Sequence, residues 1–368
     1  MKNERNYNLD LLRIVCMIMV VSIHTLGWGG LIENALVPGT YNWYLGNMLF
    51  TLSLPAVNCF VLISGYFLCT SKFKLSKLAS IWIQILFYSV GIALLVMCFH
   101  EGTPFSFKEL IKCAMPFTMK RYWFMTDYLL LYMTFPILNC AIKSMNQKTH
   151  LFFCIVLFTI FSLLPNLMYV IDFSSINGGY SFTWFCILYL FASYIKLYTP
   201  IKIHHQKLMF PIYVITSLLI CGERFLAYYI TPYIFGSVKL TSFFYSNNSI
   251  VSVLCALALF QAFRGLNIQS KFVYKFITFT APLTLSVYLI HEQVMLRSIL
   301  WDFLNPAQTA EKPIMIIYVI VCIISIFSIC CLIEWIRHWI FKALHIDILI
   351  KKICDAIQST IHNKFLST

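Results

Sequence analysis

The sequence predicts an all-α integral membrane protein, a polytopic bundle of about ten transmembrane helices with both termini cytoplasmic. Composition is the first reason: of 368 residues, 60% are hydrophobic and 11% charged, and the mean hydropathy of +0.80 exceeds that of an ordinary soluble domain. Recurring apolar runs of about 20 residues, the length that crosses a bilayer core as a helix, are the second. The third is charge placement. With the N-terminus inside, 19 of the 27 Lys and Arg residues fall in cytoplasmic segments, seven fall outside, and Arg297 lies within a span. The net charge of +13 therefore reports topology. The basic residues are scattered between apolar runs and build no nucleic-acid motif.

Taken in order, the runs bounded by polar or Gly/Pro clusters are 9–29, 45–69, 78–99, 122–142, 151–171, 181–198, 208–232, 249–263, 277–300 and 313–337. Pro211 and Pro232 interrupt the seventh, and Pro282 falls early in the ninth. Between the third and fourth runs, the loop 100–121 carries four of the seven outside charges. Its Phe107, Leu110, Ile111 and Ala114 recur at helical spacing, so it reads as a short amphipathic helix at the membrane surface. Residues 1–345 read as one transmembrane domain, and 346–368, alternating apolar and basic positions, as a cytoplasmic amphipathic tail. The first span begins like a signal peptide, but Asp10 and Arg13 intrude and no small-residue cleavage site follows His24, so it is expected to remain attached. Most of the 14 cysteines fall inside spans as small apolar residues, and their spacing suggests neither a disulfide framework nor a metal site.

The first span, DLLRIVCMIMVVSIH, places polar groups in an apolar helix. Arg13 and His24 are eleven residues apart, roughly 20° past three full turns, so they share a stripe and are separated by about 16 Å along the axis. Asp10 precedes Arg13 by three residues, the spacing of a helical ion pair. Arg13 and Asp10 taken alone are also explained as snorkelling interfacial anchors. An ionisable group at the depth of His24 usually marks a pathway or a site, and imidazole suits proton transfer from a hydroxyl. In the ninth span, APLTLSVYLIHEQV, Tyr288 and Glu292 are four apart, with His291 turned about 100° away. His291 comes out about 21 Å deep, the level of His24, so two histidines and a carboxylate can converge on one cavity. Polar glue between helices is the alternative. In RYWFMTDYLLLYMTFPILN, Asp127 lies about one turn into the membrane, whereas Tyr122, Trp123 and Tyr128 read as interfacial aromatics.

These residues resemble the signature of membrane acyltransferase family 3, whose first helix carries an aspartate followed by an arginine and a histidine: here Asp10, Arg13 and His24. NCFVLISGYFL (58–68), YWFMTDYLLLYMTFPILN (122–139), SFTWFCILYLFASYIKLY (181–198) and SVYLIHE (286–292) are similar to the family in order and content, so the resemblance covers nearly the whole chain. It implies a ten-helix enzyme, multi-pass in a bacterial inner or plasma membrane. Such an enzyme moves an acyl group, usually acetyl, from cytoplasmic acyl-CoA to a hydroxyl of a cell-surface or exported carbohydrate or lipid-linked glycan. By the same resemblance His24 is the catalytic histidine and Arg13 is essential, toward the CoA phosphates. Many members carry an arginine pair after the second or third helix; here Lys72, Lys74 and Lys77 of KFKLSK stand nearby and lack the bidentate fork. No permanently bound cofactor, no metal and no extracytoplasmic esterase-like domain are expected.

Residues and resemblance together suggest His24 as general base, oriented by Glu292 or Asp127, with Asp10, Tyr288 and His291 in support. Arg13, Lys72, Lys74 and Lys77 are the expected donor-binding cations. Trp28, Trp43 and Tyr44 at the outer mouth fit sugar stacking and interfacial anchoring equally well. The competing class is a transporter or flippase of a carbohydrate or small polar molecule, since Pro-broken spans and buried charges suit that function too.

Overall fold

A computed structural model of the chain describes residues 5–168, 176–200, 203–237 and 243–365. Lys2, Lys202 and Lys239 of the charge count, and the end of the expected 151–171 span, lie outside the described residues. Among the described residues there is no strand, and eight helical stretches are long and apolar enough to cross a membrane. The chain is a multi-pass membrane protein.

The chain begins with α1 (Tyr7–Gly27), started by Asn6, whose side chain accepts from the Leu9 N–H. A π-helical turn, Leu31–Ala35, follows. The expected 45–69 span is two helices, α2 (Tyr41–Ser53) and α3 (Ala56–Leu68), separated at Leu54 and Pro55 because proline offers no N–H to continue the ladder. Next come α4 (Leu75–Phe99), the short surface helix α5 (Phe107–Ala114), α6 (Trp123–Lys143) and α7 (Gln147–Phe158). A π-turn leads from α7 into α8 (Leu164–Met168). After α9 (Phe182–Tyr198), α10 (Ile203–Phe235) runs unbroken through Pro211 and Pro232, which corrects the expected interruption. Proline is tolerated inside membrane helices, where the surroundings make up for the lost N–H; beside Pro232, the Thr231 hydroxyl donates to Ala227 O one turn earlier.

Two of the ten expected spans are short: α9 has 17 residues and α11 (Ile250–Arg264) has 15. At about 1.5 Å per residue they cover roughly 25 and 22 Å, less than the ~30 Å hydrocarbon core. They lie inside the bundle, with Trp184, Phe185, Tyr189, Cys255 and Phe260 fully buried.

The expected 277–300 span is not one helix. Its first part is α12 (Lys271–Thr280), a 3₁₀ turn over Ala281–Leu283, and α13 (Thr284–His291). The chain then breaks at Glu292 and Gln293 and restarts as α14 (Val294–Leu304). No proline or glycine marks this break. Gln293 makes it: its Oε1 accepts from the N–H groups of Met295 and Leu296 and so caps α14, while its Nε2 donates to Ser89 O on α4. The remainder is α15 (Met315–Ala343) and α16 (Ile346–Phe365).

The central helix is α1, which packs against α2, α3, α11, α12, α13 and α15. On α16, Ile350 and Cys354 are buried, and Gln358 accepts from the Leu75 N–H at the start of α4. All fourteen cysteines are free; Cys98 near the end of α4 and Cys140 near the end of α6 are exposed.

Candidate active site

The break after α13 brings the ninth span's polar groups to α1. His24 Nδ1 lies 2.8 Å from His291 Nε2 and 3.2 Å from Glu292 Oε1. Because α13 ends at His291, Glu292 is released from the helix, in the bridge region at φ −93° and ψ 0°. Both neighbouring side chains then reach His24, although ideal helical spacing turns them about 100° apart. Tyr288, one turn earlier, sets its ring edge-on to His291 at 6.3 Å and close to Tyr122 and Phe124.

The hydrogen bonds assign the ring tautomers. His291 Nδ1 meets Val287 O, and a carbonyl only accepts, so this nitrogen carries the proton. In the neutral ring Nε2 is then the acceptor, and His24 Nδ1 donates to it. That leaves the lone pair of His24 on Nε2. Glu292 Oε1 accepts no hydrogen bond but stands beside His24 Nδ1, placed to stabilise an imidazolium once Nε2 takes a proton. The other carboxylate oxygen, Oε2, accepts from Arg297 at 3.3 Å. Arg297 in turn lies 4.2 Å over the Trp28 ring.

His24, His291 and Glu292, the two histidines and carboxylate whose depth let them converge, have ligand-type atoms all within 4.8 Å of one another. A tetrahedral zinc ion with bonds of about 2.0–2.1 Å would hold its ligand atoms about 3.3 Å apart. The 2.8 Å separation of the two imidazole nitrogens is a hydrogen-bond distance instead. The folded arrangement is a hydrogen-bonded pair of imidazoles with a carboxylate beside it.

At the other end of α1, the expected Asp10–Arg13 pair forms at 2.5 Å, and Asp10, 6% exposed, also accepts from Arg5 at 2.6 Å. Arg13 lies 5.3 Å over Phe67. Lys77 stands 5.6 Å over Tyr132, within electrostatic reach of Arg13 and Lys74. Lys72 and Lys74 are exposed just before α4. Lys196 on α9, which sequence reasoning counted only as an inside charge, is 4.4 Å over Tyr66, the neighbour of Phe67. The two cations thus cover adjacent rings. Asp127 does not join either group: its carboxylate interacts with the Phe182 N–H at the first turn of α9, a helix-capping position.

Asp10 and Arg13 thus stand toward one end of α1 and His24 toward the other, where Tyr288, His291 and Glu292 of the α13 end meet it, and the chain matches the family described as acyltransferase domain over residues 6–335. The chain belongs to the acyltransferase-3 family. Its general activity is accordingly transfer of an acyl group at a membrane. No curated protein and no solved structure matches this acyltransferase. Arg5, Lys196 and Arg297 are the residues of its two clusters that sequence reasoning missed. Arg297 was visible as the one basic residue inside an apolar run, which marked it as exceptional without showing its partner.

Proposed function

We propose that this acyltransferase takes an acetyl group from acyl-CoA at the cytoplasmic face of a bacterial plasma membrane and delivers it to a hydroxyl of a cell-surface or lipid-linked carbohydrate. The observation that carries this reading is the tautomer chain from Val287 O through His291 to His24, which presents a free Nε2 as general base. The acceptor hydroxyl gives its proton to His24 Nε2 while its oxygen attacks the thioester carbonyl. The C–S bond breaks, and the thiolate of CoA recovers that proton from the imidazolium. Glu292 stabilises the imidazolium, and His291 holds the ring in its tautomer.

Arg13, Lys72, Lys74 and Lys77, with Lys196 added to them, form the cationic group for the CoA phosphates, with both termini on the same cytoplasmic side. The roughly 16 Å between Arg13 and His24 along α1 is a distance the extended pantetheine arm covers. That favours direct delivery from the thioester. The test is release of free CoA by the purified, detergent-solubilised chain from acetyl-CoA with membrane glycolipid extract. His24→Ala should lose about 10³-fold in turnover, and Arg13→Ala should raise KM for acetyl-CoA. Full turnover in His24→Ala would remove the base assignment. A wild-type chain that neither binds nor cleaves acetyl-CoA would favour transport instead.

A further inference from the structure

We infer that Arg297 is a catalytic residue, the cation that takes up negative charge on the thioester oxygen as the hydroxyl attacks, and that Trp28 positions it. This rests on the reaction proposed above and adds the group that reaction otherwise lacks. General-base attack turns the carbonyl carbon tetrahedral and moves an electron pair onto its oxygen; a donor must meet that oxygen until the pair returns and expels the thiolate. His24 and His291 cannot serve, because their ring protons already face Nε2 and Val287 O.

Arg297 stands one carboxylate away from the base. Glu292 Oε2 takes its Nη1 at 3.3 Å, and Glu292 Oε1 is 3.2 Å from His24 Nδ1, so a single carboxylate separates guanidinium and imidazole. The contrast with Arg337 is informative. Arg337 grips Glu334 with two donors at 2.6 and 2.7 Å, as a counter-ion does when holding a carboxylate is its whole task. Arg297 spends one of its five N–H groups, at a long distance, on Glu292. Its position is set from the face, by stacking on Trp28, a contact that fixes the guanidinium and uses no N–H. With its side chain 29% exposed, the remaining donors are open to a substrate oxygen.

The experiment measures CoA release from acetyl-CoA with glycolipid extract by wild type, Arg297→Lys, Arg297→Gln, Trp28→Leu, Glu292→Gln and the Glu292→Gln/Arg297→Gln double variant, each checked for an unchanged elution profile and melting temperature. Arg297→Gln should lower kcat about 10²-fold while KM for acetyl-CoA changes less than about threefold, with Arg297→Lys intermediate and Trp28→Leu down about tenfold. In the Glu292→Gln background Arg297→Gln should still cost at least about tenfold. Turnover of Arg297→Gln within about twofold of wild type, a loss confined to KM, or no further loss in the double variant would each overturn the inference while leaving the acyltransfer reading standing. Wild type without CoA release would instead sink that reading, and this inference with it.

Discussion

Two buried carboxylates of this chain sit in membrane-spanning surroundings and are treated in opposite ways. Glu334 on α15 is 2% exposed and saturated: Tyr88 donates at 2.5 Å, Gln84 at 3.1 Å, and Arg337 doubly. Gln84 continues to Ser286 at 2.8 Å, so the network bolts α4, α13 and α15 together. Glu292 is 6% exposed, yet its Oε1 has no partner in hydrogen-bond geometry, and the carboxylate has only one long bond from Arg297 and a weaker interaction with the Trp28 side chain. A carboxylate with every lone pair used is structural. One kept short of partners beside an imidazole is, in the proposed reaction, available to a charge that appears only when His24 takes a proton.

The sharpest way to break this comparison is to remove Glu334. Glu334→Ala leaves the Arg337 guanidinium, 10% exposed, without its carboxylate and should destabilise the fold by about 3–5 kcal/mol, read as a lower melting temperature in detergent, while CoA release per folded molecule is retained. Glu292→Gln should do the reverse, lowering CoA release about 10²-fold, about 2.7 kcal/mol in activation free energy, with melting nearly unchanged. Replacing both members of the saturated pair, Glu334→Leu with Arg337→Met, should recover most of the stability lost by Glu334→Ala, to within about 1 kcal/mol of wild type. A double variant as unstable as the single one would show that Tyr88 and Gln84 depend on that charge.

The smallest effect concerns a carboxylate outside the spans. Glu109 on α5 is held below the usual glutamate range by hydrogen bonds from Lys112 and Arg121. A depressed folded value means that its contribution is present above the ordinary glutamate range and is lost as pH falls through the folded value. Protease cleavage in 100–121 should be flat through neutral pH and rise only in acid below that range. A rise near neutral pH would assign the loop's order to another group.

The same contrast shows what was legible beforehand. Arg13 and His24 were readable because both lie on one helix, where spacing converts directly into a shared stripe. The α5 helix was readable for the same reason, its apolar residues recurring at helical spacing, and the α2/α3 division has a visible cause in Pro55. The break at Gln293 was not, because no proline or glycine stands near it in the run and the glutamine's second bond is to Ser89, about two hundred residues away in the chain. Without that break, neither the approach of Glu292 to His24 nor the place of Arg297 follows. Lys196 and Arg5 were missed for a related reason: their partners, the Tyr66 ring and the Asp10 carboxylate, are a matter of folding back, which charge counting does not see.

The free thiols have a practical consequence of their own. Cys98 and Cys140 are exposed near the far ends of α4 and α6, consecutive long helices whose C-terminal ends face opposite ways if each crosses once. The chain therefore carries a natural pair of reporters: a maleimide too polar to cross lipid, added to intact cells, should tag one thiol and spare the other until the cells are opened, and the identity of the tagged cysteine fixes which side of the membrane each of these helix ends faces.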